Sequence, residues 1–188
     1  MRLVLALAAL TLVASPSASA ELAAGSHSAG DGWTVQVSVE PSDLGPIVVS
    51  VARVRPVQER GSHAWLQHEL LFENTGDRRI TFADTRTAAV LGPPGRPMLV
   101  AADPGCGYYR VKPLRGACLM YLDFPSVKPH DSISRTVTLW KGLPGMTPLA
   151  TGTYVFRKLL RFQAGREVPE EGAGRAVTIE LVYRVAAR

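Results

Sequence analysis

Near the C-terminus, Arg175 to Val185 reads RAVTIELVYRV, with Val177, Ile179, Leu181, Tyr183 and Val185 in one row and Thr178, Glu180 and Arg184 in the other. A period of two is the mark of a β-strand with one buried face, because successive side chains point to opposite sides of a sheet. Helices would instead need apolar residues at i, i+3 and i+4, and no stretch after residue 20 has that spacing convincingly. The chain must therefore build its core from strands.

The same alternation recurs along the chain. In Trp33 to Val39, Trp33, Val35, Val37 and Val39 share a face, and Ile47 to Val54 is a second, more continuously apolar run. From Ala64, the row Leu66, His68, Leu70, Phe72 faces one way and Trp65, Gln67, Glu69, Leu71, Glu73 the other. The turn signal Asn74-Thr75-Gly76-Asp77 leads to a short row, Ile80 and Phe82. Further strand signals lie at residues 86–91, Met98 to Ala102, Leu119 to Phe124 and Ile133 to Trp140. In Thr153 to Phe162, Tyr154, Phe156, Leu160 and Phe162 line one face, with Lys158 among them, while Arg157 and Arg161 stand on the other. About nine strands at turn-punctuated intervals predict an all-β, antiparallel β-sandwich.

The first 20 residues lie outside that domain. Arg2, an apolar run from Leu3 to Ala14 interrupted only by Thr11, and the small-x-small site Ala18-Ser19-Ala20 describe a secretory signal peptide cut before Glu21. The run is shorter than the roughly 20 residues that span a bilayer, and no later stretch is long and apolar enough to do so. No cysteine sits near the cleavage site to take a lipid. Residues 21–32 (ELAAGSHSAGDG) read as a flexible lead-in and 33–188 as one domain, in a protein expected to be secreted or periplasmic. The full chain has 17 arginines against four lysines, and losing Arg2 takes the net charge from +5 to +4. That basicity permits contact with anionic surfaces but is too sparse to demand it.

Cys106 and Cys118 are the two cysteines. In an oxidising compartment they predict one disulfide. A redox pair would be spaced Cys-x-x-Cys, and zinc would need two more ligands at a suitable spacing. A hairpin turning at Pro113–Gly116 would set Val111 opposite Cys118, so the bridge is expected to cinch an irregular loop.

Catalytic signatures are missing. There is no Gly-x-Ser-x-Gly elbow, no phosphate-cradling glycine loop ending in Gly-Lys and no His-Glu-x-x-His. His68 interrupts an apolar row and is expected to be a buried histidine with a hydrogen-bond partner rather than a ligand or base. His130-Asp131 belongs to a turn. Arg157 and Arg161, roughly 13 Å apart on one face, are candidate contacts for an anionic ligand. Without stacking aromatics on that face, solvated surface charge is the simpler reading and nucleic acid is not an expected partner. No cofactor or metal is expected. The proline-stiffened Gly92-Pro93-Pro94-Gly95 turn is exposed by composition and would suit a binding tip, although an ordinary connection explains it as well.

Three short motifs carry a family resemblance: Phe72-Glu73-Asn74-Thr75-Gly76 with Ile80-Thr81-Phe82, Val127-Lys128-Pro129-His130-Asp131-Ser132, and Gly152-Thr153-Tyr154-Val155-Phe156. Together Leu66 to Phe162 resembles the bacterial immunoglobulin-like modules of the intracellular proteinase inhibitor type. The resemblance implies an Ig-like sandwich and transfers no functional residue, since this chain has an export signal, a cysteine pair and extra strands on both sides. The expected function is binding without catalysis, by a monomer, to a protein or envelope polymer. Two alternatives stand beside it: a protease inhibitor using an exposed loop such as Gly92–Pro97, and a hydrolytic enzyme with a site assembled across loops.

Overall fold

The structure, a computed structural model, describes residues 25–29, 32–57, 64–85, 87–104, 106–109, 115–118, 122–123, 125–165 and 174–188. The signal-peptide expectation for residues 1–20 lies outside them. In chain order the strands are β1 (Gly25–Ala29), β2 (Trp33–Glu40), β3 (Ile47–Pro56), β4 (Ala64–Asn74) and β5 (Ile80–Thr85). Next come β6 (Ala88–Leu91), β7 (Leu99–Ala102), β8 (Cys106–Tyr109), β9 (Arg115–Cys118) and β10 (Leu122–Asp123). The last four are β11 (Ser126–Val127), β12 (Ser132–Trp140), β13 (Gly152–Ala164) and β14 (Arg175–Ala187).

These strands form two antiparallel sheets. One has seven strands in the order β1-β2-β14-β13-β5-β10, with β11 also on β5; the other has five, β3-β4-β12-β7-β6. A small hairpin, β8-β9, stands apart. The fourteen strands among the described residues outnumber the nine expected chiefly because β1, β8, β9 and β11, of two to five residues each, carry too little alternation to be read as strands. The lead-in reading also needs correcting. Residues 25–29 are an edge strand, in register with β2 from Gly25↔Val37 to Ala29↔Trp33. Edge pairing uses backbone groups, so its small polar sequence carries no side-chain signal.

The long strands alternate as their sequences require. Val35, Val37, Ile179, Leu181, Tyr183, Phe156, Leu160 and Phe162 of the seven-stranded sheet meet Val49, Leu66, Leu70, Phe72, Val137 and Leu139 of the other in one core. Fully burying each such large apolar side chain is worth about 1.5–3 kcal/mol. The Phe72 ring meets Phe82 edge-on at 5.4 Å between centroids, tying the sheets together.

β4 sits inside the five-stranded sheet, between β3 and β12. The turn after it does not close a hairpin, because β5 belongs to the opposite sheet. Asn74 holds this crossing. Its fully buried amide donates to the carbonyls of Arg78, Val127 and Lys128 at 2.8, 3.2 and 3.0 Å, and its Oδ1 accepts from Gly76 N–H at 3.0 Å. Asn74→Ala leaves several buried backbone groups without partners. It should lower unfolding free energy by about 2–3 kcal/mol in urea titrations, whereas Thr75→Ala, at an exposed position, should stay within about 0.5 kcal/mol of the parent.

Candidate functional site

β5 and β6 are separated by two residues yet belong to different sheets. β5 runs beside β13 from Ala164↔Ile80 to Leu160↔Asp84. Continued in that register, Val90 would face Tyr154 and Leu91 would face Thr153. Instead the chain swings away after Thr85, and β6 pairs with β7 from Ala88↔Ala102 to Leu91↔Leu99. The strands part like the arms of a fork. Between the arms lies a cleft of about 440 Å³, bounded by Val90, Leu91, Pro93 and Met98 on one side and by Ala150 to Val155 on the other.

The apex of the fork is polar and buried. A strand that leaves its neighbour strips backbone groups of ladder partners, and those groups must be satisfied elsewhere. Here the Asp103 carboxylate supplies the acceptor: its Oδ2 receives the Thr87 N–H at 2.9 Å and the Thr87 hydroxyl at 3.1 Å. Asp103 N–H donates back to the Thr87 carbonyl at 3.0 Å. Lys158 of β13 reaches the same Oδ2 and closes the arrangement. Both charged side chains are buried, 2% and 4% exposed.

A second polar pair lies in the same interior. His68 Nε2 on β4 is 3.0 Å from the Tyr183 hydroxyl on β14, which links the two sheets. Burial pushes the His68 imidazole from 6.5 down to about 3, and the Lys158 ammonium adds to the effect. Burial also holds the Tyr183 hydroxyl well above its ordinary range, with the Asp103 carboxylate pushing the same way. His68 is therefore neutral at physiological pH, and its Nδ1 has no hydrogen-bond partner among the described residues. The buried, partnered histidine expected from the sequence is found.

Four titratable groups thus converge, an arrangement often associated with catalysis. Each is almost wholly shielded from solvent, so none is presented to a substrate. Lys158 and Asp103 were not singled out by sequence reasoning. The available signal was a lysine inside an apolar row; Asp103, beside Pro104, is explained locally as a turn residue.

The outer arm of the fork ends in a stiff loop. Gly92 to Arg96 are all exposed. Arg96 N–H donates to the Pro93 carbonyl at 2.9 Å across Pro94 and Gly95, and Gly95 has φ +73° as the third residue of a type II turn requires. Met98 N–H closes the base onto the Leu91 carbonyl at 2.9 Å, and Thr147 N–H braces Pro97 at 2.8 Å. Gly92 has φ +141°, and a Cβ there would stand 2.4 Å from the Arg96 carbonyl oxygen, so only glycine fits.

Arg157 and Arg161 are exposed on the outer face of β13, as their spacing predicts. Arg157 is not an isolated cation: its Nε donates to Glu180 Oε1 at 2.7 Å from the directly paired position on β14. Between the arginines stands Leu159, 48% exposed, the one large apolar side chain so exposed among the described residues. The cysteine segment differs from its expected irregular loop. β8 and β9 form a regular hairpin with Cys106 directly opposite Cys118 and Tyr109 opposite Arg115. Arg115 and Gly116 already belong to β9, so the turn is not centred on Pro113–Gly116 and the offset is removed. Cys106 is buried; the Cys118 side chain lies outside the described residues.

Among the described residues no three His, Cys, Asp or Glu side chains group as a metal set, and no helix is long and apolar enough to cross a membrane. The chain matches no protein-family model and no curated protein sequence.

Proposed function

We propose that this chain is an exported binding module of the bacterial envelope or extracellular space, acting without catalysis through the forked end of an Ig-like sandwich. The observation that carries this reading is the pairing of an open cleft with a braced, exposed loop at its rim. A preorganised surface loses little entropy on contact, which is where affinity is gained. The buried state of His68, Asp103, Lys158 and Tyr183 supports a structural role for those groups over a catalytic one. The partner is a protein or envelope polymer, and the signal-peptide pattern of residues 1–20 supports an encounter in the periplasm or outside the cell.

A disulfide between Cys106 and Cys118 is part of the proposal. The opposed register and the absence of a free cysteine among the described residues support it. Such a bridge would contribute about 3 kcal/mol by restricting the unfolded chain.

The braced loop also favours a second reading, protease inhibition through Gly92–Pro97, with Arg96 at the exposed turn. An anionic ligand at Arg157 and Arg161 has less behind it, because Arg157 already shares its Nε with Glu180 and the two arginines stand on an open sheet face rather than in the cleft. The experiment is capture of envelope and supernatant fractions on the mature protein, beside a broad protease panel. Saturable capture of one component with every protease uninhibited establishes the binding module. Slowed proteolysis that Gly92→Ala abolishes establishes the inhibitor, and neither result refutes both.

A further inference from the structure

Backbone direction decides which groups of β13 lie open. Phe82 donates its N–H to the Pro125 carbonyl at 2.9 Å, away from β13. In an antiparallel strand the alternate residues point the other way, so Thr81 and Ala83 direct their backbone groups at β13, toward Gln163 and Arg161. Gly165 N–H, donating to the Arg79 carbonyl at 2.7 Å, keeps the same parity. Carried along β13, that parity aims the N–H and C=O of Thr153, Val155 and Arg157 at the side β5 has left. Their even-numbered neighbours aim theirs at β14, which pairs without interruption from Gly152↔Val185 to Phe162↔Arg175.

Among the described residues no strand occupies that edge. No proline or bulge interrupts it, and its Thr153 to Val155 part opens directly onto the cleft. Natural sheets usually blunt such an edge by one of these devices or cover it. From Thr153 to Arg157 it runs about 14 Å, enough to pair three alternate residues of an added strand.

We propose that this edge is a strand-addition site for an extended segment of a partner protein, pairing antiparallel with Thr153 to Arg157 in the place β5 vacates. Pairing of this kind takes its affinity from main-chain hydrogen bonds and its specificity from pockets for alternate side chains. The segment's inward side chains meet Val90, Leu91, Met98 and Tyr154 and are therefore apolar. Its outward side chain opposite Arg157 is acidic, since a cross-strand opposite charge stabilises and a like charge does not. The mature chain carries a net +4, and Arg96 at the cleft rim and Arg157 on the open edge are exposed. Those charges favour an acidic heterologous segment over a second copy of this chain. The inference rests on the binding-module reading and names its surface and the chemistry of its partner.

The test uses the mature chain and a library of nonapeptides alternating apolar residues with threonine or glutamate. Selected binders should carry glutamate at one outward position. N-methylation of alternate peptide nitrogens should weaken binding at least tenfold in one parity and leave it unchanged in the other. Amide exchange at Thr153, Val155 and Arg157 should slow on peptide addition, a readout that needs no variant. Arg157→Glu should shift preference at least tenfold toward lysine-bearing peptides. The proposal is overturned by a library without binders, by indifference to methylation parity, or by protection elsewhere. It is equally overturned if those amides become protected with protein concentration alone, which would make the edge a self-association surface. Capture of an envelope partner with no peptide binding would sink strand addition and leave the binding module standing.

Discussion

Lys158→Met should lower unfolding free energy by about 3–5 kcal/mol, because it strands the Asp103 carboxylate in the interior. Methionine matches the stem of lysine and packs against the same neighbours, so the loss is electrostatic rather than a cavity effect. Against a typical domain stability of about 5–15 kcal/mol the change is large. Breaking one half of a buried pair is far costlier than replacing both halves. The double variant Lys158→Met with Asp103→Asn should therefore recover most of the loss, since asparagine still accepts from the Thr87 N–H at the fork apex. Urea titration of parent, both single variants and the double variant gives the coupling directly. If Lys158→Met is as stable as the parent, the ion pair does not hold the apex.

Stability should fall steeply on acidification through His68. Its folded pKa of about 3 lies below the ordinary 6.5, so the unfolded chain binds the proton more readily. Its contribution is complete above pH 6.5, and it is lost progressively as pH falls from 6.5 toward 3. Within that window the slope is about 1.4 kcal/mol per pH unit. Carboxylates also titrate there, so the informative quantity is a difference. His68→Gln retains a polar group within reach of the Tyr183 hydroxyl and has no proton to gain. The stability difference between parent and His68→Gln should shift by about 2 kcal/mol in favour of the variant between pH 6 and pH 4.5. A constant difference across that range would mean that the imidazole is not held neutral by burial.

These effects depend on residues of unequal legibility. Trp33 to Val39, Ala64 to Glu73, Thr153 to Phe162 and Arg175 to Val185 declare their strands because alternation is a local property, readable between i and i+2. His68 is legible for the same reason, as a polar member of an apolar row that must find a partner. Gly25 to Ala29 carries no such pattern, and its pairing with β2 rests on backbone groups every residue possesses. The cysteine register was misplaced because a small shift in turn position changes which side chains face each other, here Cys106 instead of Val111 opposite Cys118.

The sequence by itself determined that this chain is all β and which rows of side chains enter the core. Only the tertiary structure decided that β5 and β6 part company, that Asp103 and Lys158 meet at the apex, and that one edge of β13 is left open. The physical reason is distance along the chain. Alternation constrains a strand against its own neighbours, but nothing in residues 80–91 states which sheet each half will join. That choice is settled by partners from residues 99–102 and 152–164, which meet it only once the two sheets have closed.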